Sequence, residues 1–131
     1  MNKPVILIVE DWESQLFLLK GFLVREGYLV ADASSGIEAI RHVRDGYFDI
    51  VLLDYKMPGM NGIEVLREIK TIKPETDVVI ISAYGTTERA VEALDAGAFY
   101  YITKPVDLDN ILLLLDRISK RRFTLDGADI K

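Results

Sequence analysis

The sequence predicts an α/β chain, a doubly wound five-stranded parallel sheet with helices on both faces. Three observations lead there. Five short apolar, β-branched runs alternate with five stretches whose apolar residues recur at helical spacing. Several of the runs are apolar throughout, the pattern of strands covered on both sides. The connections are short, and right-handed crossovers then leave few other arrangements.

The first strand is Pro4 to Val9, ending in Glu10-Asp11. A helix follows from about Trp12 to Glu26, with Trp12, Leu16, Leu19 and Leu23 on one stripe and Gly27 as its stop. Phe17 and Leu18 lie off that stripe and read as part of a partner surface. Tyr28 to Ala33 is the second strand. Ser34 or Ser35 caps a helix to about Arg44, with Ile37, Ile40 and Val43 inward. His42 lies among charged neighbours there and reads as a solvated surface residue.

Asp49 to Leu53 is the third strand, ending at Asp54. The next helix, about Asn61 to Ile72, places Val65, Ile69 and Ile72 on one face, and Pro74 closes it. Asp77 to Ile81 is the fourth strand, ending at Ser82-Ala83. Thr86 or Thr87 opens a helix with Ala90, Val91 and Leu94 inward, stopped by Gly97. Phe99 to Ile102 is the fifth strand and leads into Thr103-Lys104-Pro105. Asp107 caps a last helix whose stripe is Leu108, Ile111, Leu112, Leu115 and Ile118, with Leu113 pointing away. Periodicity is lost from about Arg121. Residues 1–120 are therefore expected to form the domain, and 121–131 a C-terminal tail or the start of a linker.

The 131 residues are half hydrophobic, enough for a single core. A net charge of −5 without a basic stripe argues against a nucleic-acid surface. With no cysteine, disulfides and thiolate metal sites are excluded. The apolar run after Lys3 is too short for a signal peptide, and Ile111 to Leu115 is too short to span a bilayer. The expectation is a cytoplasmic protein without a membrane partner.

In open parallel sheets ligands bind at the carboxyl ends of the strands. Those ends carry Glu10 and Asp11, Asp54, Ser82, and Thr103-Lys104. Taken alone, Asp54 fits a helix or turn cap as well as a reactive group. Three crowded carboxylates repel one another, so either a proton or a cation joins them. Oxygen ligands without Cys or His call for a hard cation, and Mg²⁺ suits carboxylates, waters and a phosphoryl oxygen. A lysine and a hydroxyl opposite complete a cradle for phosphate, in which a carboxylate can attack phosphorus.

The stretches Ile8-Val9-Glu10-Asp11, Leu52-Leu53-Asp54-Tyr55-Lys56-Met57-Pro58-Gly59-Met60-Asn61-Gly62, Ile81-Ser82-Ala83 and Gly97-Ala98-Phe99-Tyr100-Tyr101-Ile102-Thr103-Lys104-Pro105 resemble the response-regulator receiver domain of bacterial two-component systems. The likeness covers the chain to about Ser119. It implies a flavodoxin-like sheet of order 2-1-3-4-5 with five helices. It implies Asp54 as phosphoacceptor. The metal ligands would be Asp11, Asp54 and the backbone carbonyl of Lys56, with Glu10 acting through water, around Mg²⁺ or its substitute Mn²⁺. Ser82, Ala83 and Lys104 would handle the phosphoryl group, and Tyr101 would be the aromatic switch. Lys104-Pro105 would be a cis peptide. Lys56 and Tyr84 would tune the phosphoryl lifetime.

The resemblance further implies a sensor histidine kinase or histidine phosphotransfer protein as phosphodonor. That donor would dock near Gln15, Leu18 and Pro105. A phosphorylation-dependent homodimer or an output partner would use the face of the fourth helix, fifth strand and fifth helix, with Leu113. Tyr84 to Ala93 resembles receivers attached to ATPase-type transcription activators, which points to transcription regulation through a C-terminal output domain. Asp54 to Val65 also resembles single-domain phosphorelay receivers. The only chemistry implied is self-phosphorylation on Asp54 and autodephosphorylation.

Three features depart from the family pattern. The acidic pair is Glu-Asp, the switch hydroxyl is a serine, and Lys56 and Tyr84 lie over the site. Two other readings compete. An aspartate-nucleophile phosphatase would want an acid where Lys56 stands. A flavin module would want a phosphate loop where Glu10-Asp11 would repel it.

Overall fold

The computed structural model describes residues 3–83 and 85–123. Tyr84 and residues 124–131 lie outside the described residues, and with them the expected tuning role of Tyr84 and most of the expected tail. The elements are β1 (Val5–Val9), α1 (Glu13–Arg25), β2 (Leu29–Ala33), α2 (Gly36–Asp45), β3 (Ile50–Asp54), α3 (Gly62–Ile72), β4 (Asp77–Ser82), α4 (Thr87–Asp95), β5 (Tyr100–Thr103) and α5 (Leu108–Phe123). The strands form one sheet of order β2-β1-β3-β4-β5, every neighbouring pair parallel. This is the flavodoxin-like order.

Strand period decides what lies on each face. Leu7, Val9, Val51, Leu53, Val78 and Ile80 face α2, α3 and α4, while Ile6, Ile8, Ile50, Leu52, Val79 and Ile81 face α1 and α5. Both sides of the central strands β1, β3 and β4 are buried, which is why those strands read as nearly unbroken apolar runs.

Four helices start where the sequence supplies a cap, the last of them α5, where Asp107 accepts from the Asp109 amide at 3.0 Å. Ser35 accepts from the Glu38 amide, Asn61 and Glu64 form a reciprocal box, and Thr86 accepts from the Arg89 amide. Trp12 precedes α1 without a side-chain cap.

Some inward residues differ from expectation. Ile37 is 64% exposed, because α2 turns Gly36, Ala39 and Val43 inward instead. At Gly36 a Cβ would stand 2.6 Å from Val65 Cγ2, so the close approach of α2 to α3 selects that face. Val91 and Leu94 are each 49% exposed, because α4 meets the sheet through Ala93. Trp12 lies before α1 and is exposed, not on its buried stripe.

The helix α5 does not give way at Arg121 but runs to Phe123. Arg122 fastens its end to the amino edge of the sheet. Its guanidinium donates to Asp77 Oδ2 at 3.0 Å and to the carbonyls of Glu75 and Asp49 at 2.9 and 3.2 Å. It also donates to the Tyr47 hydroxyl and lies 3.2 Å from Asp49 Oδ1. Among the described residues, no helix is long and apolar enough to cross a membrane.

Candidate functional site

The sheet register assembles the site. Val9 pairs with Leu53, so Glu10 emerges beside Asp54. Asp54 pairs with Ile81, and Ser82 with Thr103. The Lys104 amide then donates to the Ser82 carbonyl at 2.7 Å. Adjacent strands thus end together and deliver their polar residues to one edge.

One carboxylate oxygen each from Glu10, Asp11 and Asp54 lie within 4.8 Å of one another. Asp54 and Glu10 are buried, whereas Asp11 is exposed. Lys104 Nζ stands 3.3 Å from Asp54 Oδ1 and 3.5 Å from Glu10 Oε1, and donates to Gln15 Oε1 at 3.1 Å. The Trp12 amide donates to Glu10 Oε2 at 3.1 Å. A cavity of about 300 Å³ opens here, lined by Glu10, Asp11, Trp12, Asp54, Lys56, Ala83 and Lys104.

Burial pushes the Asp54 carboxyl above its ordinary value, against the pull of Lys104 beside it. Glu10 is raised as well, first by burial, while the Trp12 amide holds it down. One ammonium does not offset three acids. An all-oxygen donor set of this charge and spacing, without Cys or His, fits a hard divalent cation such as Mg²⁺.

The residues singled out in the sequence fall into two groups. Asp54, Glu10, Asp11, Lys56, Ala83 and Lys104 line one cavity. Ser82 is buried beside it. Tyr101 is half-buried and packs against the core beneath α2, α3 and α4. The Lys104-Pro105 peptide is cis. Gln15 accepts from Lys104, a contact its sequence position did not reveal. Leu18 and Leu113 are each 68% exposed. His42 lies outside the site, 4.0 Å from Glu38 on α2.

Sequence reasoning missed the Trp12 amide and Arg89. The guanidinium of Arg89 lies over the ring of Tyr55, 4.1 Å from its centroid. A basic residue in the first turn of α4 was the signal available.

Comparison with known proteins gives a consistent picture. The sequence profile of the response regulator receiver domain matches residues 6–116. The transcriptional regulatory protein ZraR of Klebsiella oxytoca is 46% identical over 110 residues, which make up 84% of this chain and 25% of that protein. Sporulation initiation phosphotransferase F of Bacillus subtilis (strain 168) is 40% identical over 111 residues, 85% of this chain and 90% of that protein. A CheY-like response regulator receiver domain protein from Methanospirillum hungatei JF-1 superposes with a TM-score of 0.84 at 32% identity, covering 92% of this chain and 99% of that one. The chain spans about a quarter of the length of the ZraR relatives it matches.

Proposed function

Because the chain belongs to the response regulator receiver domain family, we propose that it is a phosphorylation-controlled switch whose acceptor is Asp54. The observation that carries this reading is the buried Asp54 carboxylate with Lys104 3.3 Å away and two further acids beside it. The donor is the phosphohistidine of a sensor histidine kinase or histidine phosphotransfer protein. A carboxylate oxygen of Asp54 attacks phosphorus and forms the O–P bond. The P–N bond to the imidazole breaks, its electron pair stays on nitrogen, and the nitrogen takes a proton.

Asp11, Asp54 and the Lys56 carbonyl, with Glu10 acting through a water, are the residues that would hold Mg²⁺, or Mn²⁺ in its place. A cation bound there supplies positive charge to the acids and to the phosphoryl oxygens. Lys104 pairs with the phosphoryl group, and Ser82, with the backbone at Ala83, hydrogen-bonds it. Lys56 at the cavity mouth tunes how readily water reaches the acyl phosphate. Phosphate adds nearly two negative charges, which draws Ser82 and Lys104 inward and repacks Tyr101. The α4–β5–α5 face, including Leu113, then changes its dimer or output contacts. Gln15, Leu18 and Pro105 receive the donor.

Likeness to ZraR supports an output in transcription regulation. A second reading is a single-domain relay intermediate, supported by the 40% identity to phosphotransferase F. In both readings the setting is the cytoplasm.

Intact mass after treatment with a small acyl phosphate and Mg²⁺ tests the proposal. Wild type is expected to gain one phosphoryl group and Asp54→Asn none. A wild-type protein that gains nothing would refute it.

A further inference from the structure

Tyr55 directly follows the acceptor and is fixed at both backbone groups. Its amide donates to the Ile81 carbonyl at 2.9 Å, and its carbonyl accepts from the Gly62 amide at 2.6 Å. Its half-buried ring packs against the core on the side of the sheet that α4 covers. Arg89 stacks on that ring at 4.1 Å. Arg89 is the third residue of α4, and its amide donates to Thr86 Oγ1 at 3.3 Å.

The charge of Arg89 is misplaced for the helix. A cation in the first turn opposes the helix dipole, and the last turn of α4, where a cation would help, holds no basic residue. The ring of Tyr55 supplies a reason for it, since a guanidinium over an aromatic face is attracted by the ring quadrupole.

The rest of α4 is lightly held. Among the described residues of the helix only Ala93 is buried, while Val91 and Leu94 are half exposed. A contact at its first turn therefore counts for more in fixing its position than it would in a deeply packed helix.

We propose that Arg89 and Tyr55 form a latch that holds the start of α4 against the loop following Asp54 and favours the unphosphorylated arrangement. The regulatory part rests on the reading that Asp54 takes the phosphoryl group. Ser82 and the segment leading to α4 then move towards Asp54. Tyr55 stays where its backbone bonds hold it, so the stack has to slide or open. The latch thus opposes the switch at a point where neither the acceptor nor the metal ligands take part.

Hydrogen exchange on the 131-residue chain in Mg²⁺ buffer tests this, read on α4 peptides by mass spectrometry. Arg89→Gln, Arg89→Met and Tyr55→Leu are each expected to speed α4 exchange by about three-fold, the scale of a half-exposed cation–π contact. The Arg89→Gln, Tyr55→Leu double variant is expected to go no further than either single one. Tyr55→Phe, which keeps a ring, is expected to exchange like wild type. Unchanged exchange in the Arg89 variants, or single effects that add in full, would overturn the latch. Should Tyr55→Leu loosen the whole sheet, the Arg89 variants and Tyr55→Phe carry the decision.

Acyl-phosphate treatment completes the test. The phosphorylated wild type is expected to exchange at α4 like the Arg89 variants. An adduct with α4 exchange unmoved overturns the regulatory part. Absence of any adduct overturns the acceptor reading instead, while the unphosphorylated variants still decide the latch.

Discussion

The amide of Gly62 donates to the carbonyl of Tyr55 at 2.6 Å and closes the loop that follows Asp54. Close approach demands the glycine. A Cβ there would stand 2.8 Å from Tyr55 Cα and 3.1 Å from the Asp54 carbonyl oxygen, and backbone atoms cannot turn aside. Gly62→Ala is expected to destabilise the fold by about 1–3 kcal/mol through overpacking. It should also slow phosphoryl uptake, because the loop carries Lys56. Urea unfolding and the rate of adduct formation measure the two effects, and wild-type values for both would show that the loop yields freely.

The raised carboxyls of Asp54 and Glu10 set a pH dependence for the metal-free protein. Their ordinary values are 3.8 and 4.5, and burial lifts both in the fold. Above those values the native state holds protons that the unfolded chain has released, so stability falls as pH rises through the lifted values. Asp54→Asn removes one buried charge. It is expected to stabilise the metal-free protein at neutral pH and to flatten this pH dependence. Melting curves in chelator across the acid range would show a parallel pair of profiles if Asp54 had no part.

Lys104 is the counter-ion of this cluster, 3.3 Å from Asp54 and 3.5 Å from Glu10. Lys104→Ala leaves two buried acids without it and is expected to cost about 1–3 kcal/mol in chelator. The loss should shrink when Mg²⁺ is added, since a cation takes over the compensation. A loss of the same size with and without Mg²⁺ would count against one shared charge cluster.

At the opposite edge of the sheet, Arg122 serves two acids, two carbonyls and a phenol. Arg122→Met keeps much of the stem and removes every one of these contacts. A loss of about 2–4 kcal/mol is expected, with faster hydrogen exchange in the last turns of α5. Exchange unchanged at α5 would mean that apolar packing alone holds the helix end.

The α4–β5–α5 face is expected to pair two copies after phosphorylation, with Leu113, exposed in the single chain, at the contact. Light scattering before and after acyl-phosphate treatment measures this. A mass that stays at one chain would remove the dimer and leave an output partner as the user of the face.

The central strands β1, β3 and β4 were the most legible part of the sequence, because burial on both faces makes them nearly uniform in β-branched and large apolar residues. The site followed from them, since parallel strands end together and Glu10, Asp11, Asp54, Ser82 and Lys104 are all strand-end residues. Helix faces were less legible. The pattern at Ile37, Val91 and Leu94 suggested an apolar face inward, yet close approach favours small residues, and Gly36, Ala39 and Ala93 took the inner positions. Contacts between distant stretches left no periodic trace. The bonds of Arg122 to Asp49 and Asp77, and that of Lys104 to Gln15, join stretches far apart in sequence and appear only in the fold.

The Arg122 fastening makes α5 a lever. Its 16 residues span about 24 Å, and with one end pinned, a tilt of about 5° displaces the Leu108 end by about 2 Å. That far end follows directly on the segment containing Lys104 and Pro105. Any movement of that segment is therefore expected to appear as swing at the Leu108 end of α5, with the Arg122 end held still.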